Sequence, residues 1–321
     1  MTDATPTTPT LDEIRAAAKV LAPYIIRTPL LRLNTTDGNS EIYLKLENLQ
    51  PIGAYKVRSM GNILLTADQD VLHNGAYTAS SGNAGLGLAW MAQQIGISAR
   101  VYAPESSPEA KLGAIRKFGA VVHLLSHDAW WQIIENRGHP TDRGLYADAV
   151  RDPAALAGNG TIGLEIIEQL PDVASVIVPF GGGGIACGIA AAIRALKPDT
   201  RIIVAESDAA TPATAAFKAG RPVPVPVHPS FISGAGAPTV LKEMWPLISA
   251  LVDETMVVPV SGVAAAIRFL CGHNHVVAEG AGAIAVAAAL AGKAPPGKTV
   301  CVVSGGNIDL EVMAKILQQQ L

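Results

Sequence analysis

Apolar positions change period repeatedly along the chain, and each change marks an element. Over 42–46, Ile42, Leu44 and Leu46 alternate with Tyr43 and Lys45, the period-two pattern of a strand with one buried face. Gln50-Pro51-Ile52-Gly53 interrupts it as a turn, and Lys56 then heads a helical run through Met60, Ile63 and Leu64. Short apolar runs at 75–79, 99–103, 121–125, 175–179, 201–206, 257–259 and 299–303 read as further strands. Between them, periodic or small-residue segments predict helices. These are 11–21 (capped by Thr10 or Asp12), the run through Leu88 to Ile95, 108–118 with Gly119 after it, 128–136, 161–170, the stretch to Leu196, 263–270 and the Ala-rich 280–291. Residues 27–30 and the Pro-rich 222–229 read as extended or loop segments.

The alternation predicts an α/β protein with doubly wound parallel sheets, whose strand C-terminal ends carry the ligand-binding loops. The run 75–147 is expected to form a small domain, and residues 1–74 with 148–321 a larger one. The polar first ten residues are expected to be a tail.

Composition narrows the classes. Of 321 residues, 49% are hydrophobic and 16% charged, as in a well-packed enzyme and unlike a disordered chain. A net charge of −3 without a basic run excludes the electrostatic footprint of a nucleic-acid partner. No apolar run is suited to spanning a membrane, and no signal-like N-terminus is present. Cys187, Cys271 and Cys301 lack metal-like spacing, and the histidines form no helical metal pair. A cytoplasmic protein with reduced thiols is expected.

Three strand-to-helix loops carry chemistry. The N–H groups of Gly181-Gly182-Gly183-Gly184 can converge on one anion beside a helix N-terminus, forming a phosphate cup. No Lys-Ser/Thr ending makes it a Walker loop. Ser80-Ser81-Gly82-Asn83 offers hydroxyls, an amide and N–H groups to a carboxylate, although a serine-rich helix cap has the same composition. Ser304-Gly305-Gly306-Asn307 puts a hydroxyl at a strand end, suited to a ring nitrogen or to a plain turn. Lys56 meets the positive end of a helix dipole, which favours the neutral amine of a Schiff-base lysine; an ordinary solvated lysine fits locally too.

The segment Glu47-Asn48-Leu49-Gln50-Pro51-Ile52-Gly53-Ala54-Tyr55-Lys56-Val57-Arg58 resembles the lysine motif of the threonine/serine dehydratase group of pyridoxal-phosphate enzymes (fold type II, tryptophan synthase β-like). Matching segments follow in order at 80–83, Pro104 with 111–119, 158–166, the tetraglycine loop, 279–283 and 304–307, so the resemblance runs from about Asp12 to the end. It implies a two-domain fold with the cofactor between the domains, a homodimer, and a dehydratase. Such an enzyme converts a β-hydroxy-α-amino acid to a 2-oxo acid and ammonia. It further implies that Lys56 binds pyridoxal 5'-phosphate and moves the Cα proton, and that Tyr55 lines the cofactor ring. Asn83 would bond the ring 3-oxygen, Gly181, Gly182, Gly183 and Gly184 the phosphate, and Ser304 the pyridine nitrogen. Ser80, Ser81 and Asn83 would hold the substrate carboxylate. A neutral hydroxyl at the ring nitrogen makes a weaker electron sink, which favours β-elimination.

Three departures from that group sharpen the expectation. Ala84 replaces a histidine, and Phe231-Ile232-Ser233-Gly234-Ala235 stands where dehydratases place Ala-Asp-Gly beside the substrate. Ala84, Ser233 and Gly234 are therefore expected to line a roomier pocket, for a β-substituent such as the aryl group of 3-phenylserine. Glu206 and Ala210 match two ligands of the group's cation site, whereas Pro212 replaces an Asp; one carboxylate with carbonyls suits K+ better than Mg2+. Ser81 also matches the second base of serine racemases, so a racemase is a rival reading. A β-replacement synthase and a non-catalytic nucleotide- or phosphate-binding protein are others. With nothing after Leu321, the regulatory C-terminal domain of some biosynthetic threonine dehydratases is expected to be absent.

Overall fold

Thr10 caps the first helix. Its hydroxyl accepts from Glu13 N at 3.2 Å while the Glu13 carboxylate accepts from Thr10 N at 2.7 Å, a reciprocal capping box. The computed structural model describes residues 5–34, 41–107 and 109–321. The expected helix start at Pro108, and the first four residues of the expected tail, lie outside the described residues.

From the N-terminus the elements are α1 (Leu11–Leu21), β1 (Leu30–Arg32), β2 (Ile42–Leu46), α2 (Lys56–Thr66), α3 (Gln69–Leu72), β3 (Ala76–Ala79), α4 (Asn83–Ile95) and β4 (Ala99–Pro104). There follow α5 (Glu109–Lys117), β5 (Val121–Leu125), α6 (His127–Glu135), β6 (Leu145–Tyr146), α7 (Pro153–Gln169), β7 (Ser175–Pro179), α8 (Gly184–Leu196) and β8 (Arg201–Ser207). The last are α9 (Pro212–Ala219), α10 (Trp245–Leu251), β9 (Glu254–Val258), α11 (Val260–Phe269), α12 (Gly280–Ala288), β10 (Thr299–Val303) and α13 (Leu310–Leu317).

Two sheets result. One is six-stranded in the order β1-β2-β10-β7-β8-β9, and the other four-stranded in the order β5-β4-β3-β6. Every pairing is parallel except β1 with β2. Residues 27–30, expected to be merely extended, run into that antiparallel edge strand. Alternation sorts the large sheet's side chains to two faces. Ile177, Ile203, Cys301 and Val303 pack with α11 and α12, while Val176, Val178, Val204 and Val302 pack with α8 and α10.

Helix α7 is longer than the sequence suggests, because it takes in Gly158-Asn159-Gly160. A Cβ on Gly158 would lie 2.3 Å from Arg58 O, and one on Gly188 of α8 2.5 Å from Leu156 O. These glycines cost helix propensity and let α2, α7 and α8 pack backbone to backbone.

Beneath α2 lies a buried ion network. Arg58 donates to Glu47 at 2.8 Å through both Nε and a terminal nitrogen, to Glu165 Oε1 at 2.7 Å, and to Thr161 Oγ1 at 2.9 Å. Lys45 donates to Glu165 Oε2 at 2.5 Å, Thr28 O at 2.8 Å and Gln169 Oε1 at 3.0 Å. Burial alone would raise the Glu47 carboxyl, but Arg58 and Lys45 beside it hold it below the usual range.

Arg58→Met leaves Glu47 buried and unpaired. It should cost about 3–5 kcal/mol in denaturant-unfolding stability, with the double variant Arg58→Met/Glu47→Leu costing less than the sum of the singles. A loss for the single variant within about 0.5 kcal/mol of zero, the range of an ordinary surface change, would show the network dispensable. The depressed Glu47 carboxyl contributes stability that is present above its unfolded value and is lost as pH falls through the folded one, so Glu47→Gln should flatten acid unfolding.

Candidate active site

Strands β2, β10 and β7 lie side by side and parallel, so the loops leaving their C-terminal ends meet. The β2 loop delivers Lys56 at the first turn of α2, where no side chain caps the helix. Tyr55 N donates to Ser304 O at 3.0 Å and Gly306 N to Gly53 O at 2.8 Å, stitching the lysine loop to the β10 loop. Gly53 has φ +71°, and a Cβ there would strike Asn307 Oδ1 at 2.7 Å. Lys56 Nζ lies 3.5 Å from Ala149 O and 4.9 Å from the centroid of the Tyr55 ring. Ser304 is buried, yet its hydroxyl has no hydrogen-bond partner among the described residues.

The β7 loop is the glycine run. Gly183 has φ +88° and precedes α8 without a side-chain cap. A Cβ on Gly181 would lie 2.6 Å from Gly234 O, and one on Gly182 2.8 Å from Val150 Cγ1. Among the described residues, none of the four N–H groups donates to another protein group. Unspent N–H groups at an uncapped helix N-terminus fit a phosphate, the half-buried lysine fits an aldehyde carbon, and the free Ser304 hydroxyl fits a ring heteroatom. The residues therefore fit pyridoxal phosphate as a group.

Ser80-Ser81-Gly82 leaves β3 of the other sheet and opens α4, which also lacks a side-chain cap. Ser80 Oγ accepts from Gly82 N at 3.2 Å; the Ser81 hydroxyl has no partner among the described residues. Asn83 Nδ2 donates to Glu279 Oε1 at 2.7 Å, and its Oδ1 accepts from Asn307 Nδ2 at 2.8 Å. These bonds bring the expected carboxylate loop against the β10 loop.

Other expected residues are placed differently. Ala84 belongs to the apolar core cluster of the four-stranded sheet, with Leu88 and Ala89. Ser233 and Gly234 are exposed; Gly234 O covers Gly181, and Ser233 Oγ accepts from Lys111 Nζ at 3.1 Å. Glu206 is taken up as the cap of α9. Its oxygens accept from Ala213 N at 2.7 Å, Thr214 N at 2.9 Å and Thr214 Oγ1 at 2.8 Å. Ala210 N donates to Ser207 O, and no group of three or more His, Cys, Asp or Glu poised for a metal occurs among the described residues. A cavity of about 410 Å³ lined by Leu31, Leu49, His275 and Val277 meets the site at Gly53, Gly306 and Asn307.

Sequence reasoning gave Glu279 no role. Glutamate is an uncommon helix N-cap, and this one makes no side-chain cap, which is the signal that marks it out. Burial pushes its carboxyl up to about 7, against the Asn83 hydrogen bond and Lys111.

Among the described residues, no helix is long and apolar enough to cross a membrane. The chain is 40% identical over 288 residues to L-threonine ammonia-lyase of Geobacter sulfurreducens, spanning 87% of this chain and 70% of that protein. It is 33% identical over 319 residues to the catabolic L-threonine dehydratase of Escherichia coli, spanning 95% of each. The solved structure of maize serine racemase matches with a TM-score of 0.89 at 28% identity, over 98% of both chains. The sequence pattern of the family described as pyridoxal-phosphate dependent enzyme matches residues 21–306, and with the site geometry it establishes that this chain belongs to that family.

Proposed function

We propose that this chain is an ammonia-lyase of dehydratase type, converting a β-hydroxy-α-amino acid of the threonine/serine kind to a 2-oxo acid and ammonia. One observation carries the reading: the Lys56 amine, the unspent glycine N–H groups and the free Ser304 hydroxyl stand at the ends of three neighbouring strands. The threonine ammonia-lyase and threonine dehydratase relatives support it. In this reading residues 75–147 form the smaller domain, 1–74 with 148–321 the larger, and the chain assembles as a homodimer.

Bound pyridoxal phosphate supplies the electron sink for charge developing at Cα. Gly181–Gly184 would hold its phosphate through backbone N–H groups, Asn83 would meet its ring oxygen and Ser304 Oγ its ring nitrogen, and Tyr55 would line the ring. Ser80, Ser81 and the N-terminus of α4 hold the substrate carboxylate. Lys56 Nζ takes the Cα proton. A neutral Ser304 hydroxyl would not fix a positive charge on the ring nitrogen, so charge at Cα would be held weakly, which favours loss of the β-hydroxyl. Water leaves across Cα–Cβ, and the resulting enamine takes water back as it hydrolyses to the 2-oxo acid and ammonia. The absence of a carboxylate at Ser233 and Gly234 supports a β-substituent larger than a methyl group, such as the aryl group of 3-phenylserine.

A second reading, an amino-acid racemase, is favoured by one observation: the Ser81 hydroxyl is unpartnered and free to move a proton. The likeness to maize serine racemase supports it.

Lys56→Ala should abolish the visible absorption of the purified protein and lower turnover about 10,000-fold, measured as 2-oxo acid and ammonia from threonine, serine and phenylserine of both hands. Full activity in that variant would sink the assignment. Inverted amino acid accumulating faster than 2-oxo acid would favour the racemase. Ser233→Asp should lower kcat/KM for phenylserine relative to threonine about tenfold; an unchanged ratio would remove that segment from the pocket.

A further inference from the structure

Glu279 sits inside the site without a role in the chemistry above. It is 6% exposed and stands at the N-cap of α12, but its side chain turns away from the helix. Its Oε1 accepts from Asn83 and is pressed against Gly305, where an added Cβ would lie 2.3 Å from that oxygen. Only glycine permits this approach. Its Oε2 has no hydrogen-bond partner among the described residues.

The bonds around Asn83 run in one direction. Asn307 Nδ2 donates to Ile52 O and to Asn83 Oδ1, both at 2.8 Å, and Asn83 Nδ2 donates onward to Glu279. An amide has a donor end and an acceptor end, whereas an ionised carboxylate only accepts. A flipped Asn83 would present oxygen to oxygen at Glu279 and nitrogen to nitrogen at Asn307. The present orientation leaves one Asn83 N–H over.

We propose that Glu279 is a positioning residue that locks the Asn83 amide in the orientation that offers its remaining N–H to the ring oxygen of the cofactor. The inference rests on the role proposed above for Asn83, and Glu279 acts only through it. Lys111 on α5 is the charged side chain that faces Glu279, while Ser304, Gly305 and Ser233 on the adjoining loops are uncharged. The ionised carboxylate is the stronger acceptor, so the lock tightens as pH rises through about 7. Glutamine in this place could turn either its oxygen or its nitrogen toward Asn83 and would enforce nothing.

The test is the absorption spectrum of the holoenzyme across neutral pH, with apparent cofactor affinity measured alongside. The wild-type visible band should shift with a midpoint near 7, and Glu279→Gln should abolish the shift. Glu279→Ala should weaken cofactor binding about tenfold, and Glu279→Ala/Asn83→Ala should bind no more weakly than Asn83→Ala alone. A wild-type pH profile in Glu279→Gln, or independent losses in the double variant, would overturn the proposal. If Glu279→Ala fails to fold, as read by circular dichroism, the near-isosteric Glu279→Gln carries the decision. Lys56→Ala separates the two readings. Loss of its visible band with an unaltered Glu279→Gln profile overturns the Glu279 role alone, whereas a persisting band overturns the assignment of the site.

Discussion

The site depends on an ion network that never touches it. Lys56 and Arg58 are two residues apart on α2, so their side chains leave the helix about 200° apart. One enters the site; the other enters a buried cluster with Glu47, Lys45 and Glu165. The cluster balances two cations against two carboxylates, and its arginine has nitrogen bonds on both Glu47 and Glu165. A group that must form and break a bond to its ligand cannot also anchor its own helix. Arg58 supplies the anchor, and Glu47, just past the end of β2, ties that anchor to the strand that delivers Lys56.

A second constraint is backbone distance. Gly158, Gly160 and Gly163 of α7 face α1, α2 and α8 at distances that no Cβ would survive. Close helix packing sets where α8 begins, and α8 begins at the glycine cup. The cup is closed from above by Val150 against Gly182 and by Gly234 O against Gly181. Asp148 holds the Val150 turn by accepting from Val150 N at 3.0 Å and Arg151 N at 3.1 Å. That turn also brings Ala149 O to the lysine amine. The position of Lys56 and the shape of the phosphate cup therefore share one support.

Much of this was legible in the sequence, for a physical reason. Buried parallel strands are continuous runs of Val and Ile, and the loops that follow them need glycine or small polar residues, so β7 with its cup and β10 with Ser304 stand out. The first half of α7 was not legible, because glycines that read locally as breakers are there for tertiary approach. Helices α9, α10 and α13 are seven or eight residues long, too short for a helical period to stand out in the sequence. Sequence position does not tell which side of a helix faces a cleft; at the second residue of α4, Ala84 belongs to the core cluster of the four-stranded sheet. Glu206 resembles an ion ligand, but a carboxylate at the end of a strand and before a helix can equally cap that helix, and here it accepts from the first N–H groups of α9.

Neutral donors dominate the whole site. The proposed phosphate cup offers backbone N–H, the proposed carboxylate loop hydroxyls and N–H, and the group suited to the ring nitrogen is a hydroxyl. Fixed cations in those places would bind the same anions more tightly, but they would also hold charge beside the lysine and disfavour its protonation. A lysine that collects and returns a proton needs both states within reach. Anion binding by oriented dipoles supplies affinity without a neighbouring charge that titrates or competes. Glu279 is the exception, a buried acid rather than a base, and burial keeps it neutral through much of the acidic range. The arrangement suits an anionic ligand without placing a fixed cation beside Lys56.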